Sequence, residues 1–128
     1  MENSNLLALA AALSLLGLLL LAYAAHSASP QKLRISEISS AHVRKFVTTE
    51  GEISSIYPRN GNYFITLCSG ECIRAVIFKR DVSALSTHET NIQLLKKGDR
   101  ISVRGKVEEY NGQLEIIPSP PGGILLLR

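Results

Sequence analysis

The pattern of apolar and polar residues changes character near residue 26. Residues 6–25 hold ten Leu, seven Ala, one Ser, one Gly and one Tyr, with no charge among them. Beyond residue 40, apolar positions recur at every second place in short runs punctuated by Gly, Asn, Pro and Ser. The first pattern predicts a helix that is apolar on every side; the second predicts half-buried β-strands. A helix of this length rises roughly 30 Å, the thickness of a hydrocarbon core. Ten Leu at about −0.3 to −0.6 kcal/mol each favour insertion by several kcal/mol.

The strand pattern can be followed run by run. FVTTEGEISSIY (46–57) is rich in β-branched residues around Gly51, PRNGN (58–62) has loop composition, and YFITL (63–67) alternates. CSGE makes a tight connection to CIRAVIF (72–78), which alternates in turn. A polar stretch follows in which Asp81 can cap a short helix with Val82, Leu85, Leu94 and Leu95 inward. RISVRGKVEEY (100–110) and QLEIIP (113–118) flank Asn111-Gly112, a type I′ hairpin signal. Glycines inside the first and fourth strands mark bends where a small sheet curls on itself. The expected fold is therefore all-β. It is a five-stranded Greek-key barrel with one short helix between strands three and four, preceded by a single transmembrane helix. The expected boundaries are a tail at 1–5, the span at 6–25, a linker at 26–42, the barrel at 43–118 and a second tail at 119–128. Within the linker, KLRIS leaves strand and helix both open, and Ser39-Ser40 can cap a turn.

Charge bears on topology. All 14 Lys and Arg follow the apolar run, against ten of the 11 acids, a net of +4 on the soluble part. Lys32, Arg34, Arg44 and Lys45 lie on the C-terminal flank, whereas the other flank holds only Glu2 and the amino terminus. The positive-inside bias places the barrel in the cytoplasm. A cleaved signal peptide is the rival to an anchor, with Ala22 to Ala24 as its cleavage site. The apolar run exceeds the usual signal core and its n-region has no Lys or Arg, which favours a retained single span.

With EGEISSI, YFITL, IRAVIF, LLKKGDRISVRGKV and YNGQLEI in this order, residues 43–118 resemble the OB-fold nucleic-acid-binding family of the tRNA-anticodon and helicase type. The front of the exonuclease VII large subunit belongs to the same type. By alternation Tyr63, Ile65 and Leu67 face the core with Ile73, Ala75 and Ile77, while Phe64, Thr66, Arg74, Val76 and Phe78 point outward. The resemblance makes that outer face, with the loops beside it, the binding surface. It implies single-stranded nucleic acid as partner, with Phe64 stacking a base, Arg74 as polar contact, and Arg59, Phe78, Lys106 and Tyr110 around them. Glu50 and Glu52, expected outward on the first strand, would repel phosphate there. A bulge in strand two would exchange the faces.

Cys68 and Cys72 stand at the feet of the hairpin, a spacing open to a disulfide or to two free thiols. A bridge belongs to an oxidising compartment, against the flanking charge, so the side of the membrane stays open. Two cysteines are too few for zinc, and His26, His42 and His88 have no partner spacing. Asp99, in a Lys-Gly-Asp turn, reads as structural. With no nucleophile elbow, phosphate loop or paired catalytic carboxylates, the expectation is a non-enzyme without cofactor. Two other roles compete. The cytochrome c maturation haem chaperones also place a barrel behind a span, but the tail PSPPGGILLLR offers no His, Cys or Tyr to haem. A protein-binding adaptor of the cell envelope is the second rival, with the apolar tail 124–127 as a docking strand.

Overall fold

Seven strands share one sheet, in the order β1-β2-β3-β4-β6-β5-β7. They are β1 (Gln31–Lys32), β2 (Phe46–Arg59), β3 (Asn62–Ser69), β4 (Glu71–Ile77), β5 (Arg100–Tyr110), β6 (Gln113–Pro118) and β7 (Ile124–Leu127). The computed structural model describes residues 2–27, 30–87 and 89–127, so His88 lies outside the described residues. β2 also pairs with β5, which closes β2-β3-β4-β6-β5 into a ring. These are the five expected strands. The other two correct the count: β1 lies parallel to the start of β2, and β7 lies antiparallel to the start of β5.

The two strand-interior glycines stand where a long strand serves two partners. Gly51 pairs with Ile101 of β5, and its neighbour Glu52 pairs with both Arg100 and Cys68. A Cβ on Gly51 would come within 2.8 Å of the Cys68 carbonyl oxygen. Gly105 pairs with Val47 on one side and Pro118 on the other, and a Cβ there would collide with the Ile117 carbonyl. Closure brings backbones too near for a side chain at both points.

Ile53, Ile65, Leu67, Ile77, Leu85, Ile92, Ile101, Val103, Val107 and Ile116 fill the interior, each at most 1% exposed. The chain before residue 43 joins them. Leu33, Ile35 and Ile38 are buried in the same core, with a 3-10 turn at Ile35–Glu37. Residues 26–42 are therefore only partly linker. Residues 119–128 are likewise more than a tail, because Ile124 is buried and β7 carries the sheet onward. These flanking residues add their apolar side chains to the one core that the barrel strands enclose. Ser39 caps the next 3-10 turn, Ser40–His42, with Oγ accepting from Ala41 N at 3.3 Å.

Between β4 and β5 the expected helix is α2 (Val82–Leu85), one turn long, preceded by a 3-10 turn at Lys79–Asp81. Asp81 stands at its N-cap, but its side chain makes no capping bond. Leu85 and Leu95 are buried, whereas Leu94 is 74% exposed. Asp99 is structural: its Oδ2 accepts from Lys96 N at 3.0 Å. The N-terminal helix α1 (Glu2–Ser27) contains a 22-residue stretch, Asn3–Ala24, of mean hydropathy 2.5 and wholly unburied. Length and composition suffice to cross a bilayer, and a signal sequence meets the same test.

Candidate functional site

β3 and β4 pair in uninterrupted register from Tyr63↔Ile77 to Ser69↔Glu71. The inward positions are those alternation predicts: Ile65, Leu67, Ile73, Ala75 and Ile77 are buried, and Tyr63 packs against the core. Phe64, Thr66 and Arg74 lie on the opposite face and are half-buried. Phe64 pairs with Val76, and Thr66 pairs with Arg74, so Arg74 is the diagonal neighbour of Phe64. Val76 departs from its expected exposure. It belongs to the outer face and not to the continuous core, yet it is only 6% exposed. Phe78 is a second correction, because β4 ends at Ile77. Its half-buried ring lies at the head of the next turn, with the Arg80 guanidinium 5.3 Å from its centroid.

A bulge reshapes the face, but it lies in β2, the first of the expected strands, and not in the second, which is β3. Pairing jumps from Ile53↔Leu67 to Ser55↔Thr66, leaving Ser54 as the extra residue. Before the bulge the odd residues Val47, Thr49 and Ile53 are inward; after it Ile56 pairs with Ile65 and faces the core. Tyr57 is thereby turned outward, opposite Phe64. The two rings stack with centroids 5.2 Å apart and planes 19° from parallel. Tyr57 is half exposed and extends the flat aromatic surface beside Phe64. Sequence reasoning missed it. The signal is the spacing of Ile53 and Ile56, three apart instead of two.

The remaining predicted residues frame this surface from two ends. Arg59 is exposed at the Asn60-Gly61 turn between β2 and β3, where both turn residues have positive φ (54° and 83°). Tyr110, 64% exposed, precedes the corresponding Asn111-Gly112 turn at the far end. Lys106 is half-buried, paired in register with Ile117 and Phe46, and its Nζ is 3.6 Å from Glu108. Arg59 and Tyr110 are thus brought to opposite ends of the surface and not to one point.

Arg74 has an acidic neighbour that the strand pattern alone does not reveal. The parallel pairing of β4 with β6 sets Arg74 against Glu115, and β5 sets Glu108 beside that. Glu115 is 6% exposed. β4 and β6 pair only at Arg74↔Glu115 and Ala75↔Ile116. Beyond that pairing a cleft of about 450 Å³ is lined by Ile35, Ile38, Thr66, Glu71, Cys72, Ile73, Arg74, Gln113 and Leu114. Glu50 and Glu52 point outward on β2, as expected: Glu50 meets Lys32 at 3.5 Å, and Glu52 pairs with Arg100 of β5 and with Cys68 of β3. Cys68 and Cys72 form a disulfide across the hairpin tip. Among the described residues no three of His, Cys, Asp and Glu gather where they could hold a metal ion. The arrangement provides an aromatic platform, a diagonal guanidinium and a polar cleft, suited to holding a planar, charged ligand.

Solved structures with this fold include the Stn1-Ten1 complex of S. pombe. It is 22% identical with a TM-score of 0.53, covering 65% of this chain and 58% of that one. Asparaginyl-tRNA synthetase from Pyrococcus horikoshii is 16% identical with a TM-score of 0.60, covering 78% of this chain and 24% of its own. An OBody bound to hen egg-white lysozyme is 16% identical with a TM-score of 0.59, and 95% of that chain is covered by 77% of this one. No curated protein matches the chain. At these identities the likeness shows the fold alone. The family model of the tRNA anticodon type, described as an OB-fold nucleic acid binding domain, matches residues 47–119, more than half of the 128, and the chain belongs to that family.

Proposed function

We propose that this chain is a membrane-anchored, non-catalytic OB module that binds single-stranded nucleic acid on the outer face of β3 and β4. The observation that carries the reading is the Tyr57–Phe64 stack with Arg74 diagonal to it. An aromatic of this kind stacks an unpaired base, and a neighbouring cation meets its phosphate. Glu108 and Glu115 beside Arg74 keep the face from being strongly basic, so the binding is weak and its salt slope corresponds to few phosphate contacts. Stn1-Ten1 and the synthetase lend support only through the shared fold.

The test is fluorescence anisotropy of the full chain in detergent with an unstructured oligonucleotide over a salt series. Affinity should fall as salt rises, because phosphate contacts release counterions. Arg74→Ala should weaken binding and reduce the salt slope by about 0.7, the share of one phosphate on a single strand. Absence of binding at low salt removes the reading. Its place would be taken by a protein-binding adaptor, which the OBody makes concrete: a barrel of similar extent with a protein as its ligand.

A further inference from the structure

The connection between the apolar helix and the barrel is short. Three residues separate Ser27, the last of α1, from Gln31, the first of β1. Four Cα steps reach at most about 14 Å, whatever path the chain takes. Gln31 pairs with Val47 and Lys32 with Thr48, and paired strands run about 4.8 Å apart. The start of β2 is therefore confined to the vicinity of the helix end.

What stands at that start is Phe46, 49% exposed, directly preceded by exposed Arg44 and Lys45. Neither cation has an ion-pair partner among the described residues. The turn that carries them is fixed. Arg44 has φ 68°, a left-handed conformation that bulky residues seldom adopt. Arg44 N donates to Val107 O at 2.6 Å, Val107 N to Lys45 O at 3.0 Å, and Lys45 N to His42 O at 2.9 Å. The barrel core does not include the Phe46 ring. A costly backbone conformation thus displays an aromatic and two unpaired cations where the chain emerges from the helix.

We infer that Phe46, Arg44 and Lys45 form a docking patch that lays the barrel against anionic phospholipid headgroups of the membrane α1 crosses. The inference rests on the anchoring reading above. Aromatic rings settle at headgroup level, and each Lys or Arg near an anionic surface strengthens attraction about fivefold. The tether makes the encounter intramolecular, so a modest attraction is enough to hold the barrel down.

The chain contains no Trp, so Phe46→Trp supplies a single emission reporter on an exposed position. The full-length variant is placed in nanodiscs of phosphatidylcholine, alone or equimolar with phosphatidylglycerol, with a spin label near the headgroup. In the anionic discs the Phe46→Trp reporter should be quenched, and high salt should relieve the quenching. Adding Arg44→Gly, which keeps the left-handed backbone accessible, and Lys45→Gln should lower the docked-to-undocked ratio roughly 25-fold. A Tyr57→Trp reporter, at the far end of β2, should stay bright. If the chain enters the discs but the Phe46→Trp reporter is unquenched in anionic lipid, docking is overturned and the anchor stands. If the chain does not enter the discs, or is recovered without α1, the anchor falls and docking with it. If the double substitution weakens oligonucleotide binding and leaves quenching intact, the cations serve the nucleic-acid surface and the lipid proposal is wrong.

Discussion

Phe64 is paired in register with Val76 and has a partner ring, Tyr57, stacked beside it. If a base stacks on this pair, Phe64→Ala should cost about 1–3 kcal/mol of oligonucleotide affinity. Tyr57→Ala should cost less after Phe64 is gone than before, because neighbours sharing one partner are not additive. Anisotropy titrations of the two single variants and the double variant read this directly. Equal, independent losses would mean that the rings do not act as one surface. A second residue is informative for stability. Thr49 is fully buried on the inner side of β2, and its Oγ1 has no hydrogen-bond partner among the described residues. Desolvating a hydroxyl without replacing its bond is unfavourable. Thr49→Val, nearly equal in shape, should therefore raise stability by about 1 kcal/mol in urea unfolding.

At the scale of elements, the barrel depends on two strands long enough to serve neighbours on both ends. β5 pairs with β7 along its first half and with β6 along its second, while β2 runs beside it. Gly105 is the point where β2 and β6 both meet β5, and an added methyl has only backbone to displace. Gly105→Ala should destabilise the domain by about 1–3 kcal/mol or more, as overpacking does. Ile65→Ala, which empties the centre of β3 instead, should cost about 2–5 kcal/mol. The two losses differ in kind. The glycine variant strains closure, so it should also alter the β5–β6 amide exchange pattern, whereas the Ile65 variant should lower protection throughout. Uniform loss in both would show that closure has no local role.

At the scale of the whole molecule, the disulfide and the flanking charge point to opposite sides of the membrane that the proposed anchor would cross. The Cys68–Cys72 bridge suits an oxidising compartment. The cations at Lys32, Arg34, Arg44 and Lys45 favour retention on the cytoplasmic side. The bridge and the outward orientation should occur together or not at all. Thiol labelling with and without reductant, in sealed vesicles of known orientation, should give protected cysteines only where protease reaches the barrel. Freely labelled thiols on an outward-facing barrel would break the link. Mass measurement of the mature chain settles the other branch, since a product starting near residue 25 leaves no anchor.

Period-two alternation assigned the faces of β3 and β4 correctly, because both strands lie in regular register and one face is buried. The Asn111-Gly112 turn and the closeness of Cys68 to Cys72 were legible for a related reason: both depend on neighbours only a few residues away. Tyr57 was not legible. Its direction depends on a bulge at Ser54, where β2 changes partners to close the ring. Glu115 came beside Arg74 only through a parallel pairing between strands about forty positions apart. Leu33, Ile35, Ile38 and Ile124 looked like linker and tail because the core they join exists only once the strands have closed. Local alternation decides which way a side chain points along a strand; how the ring closes decides what that side chain meets.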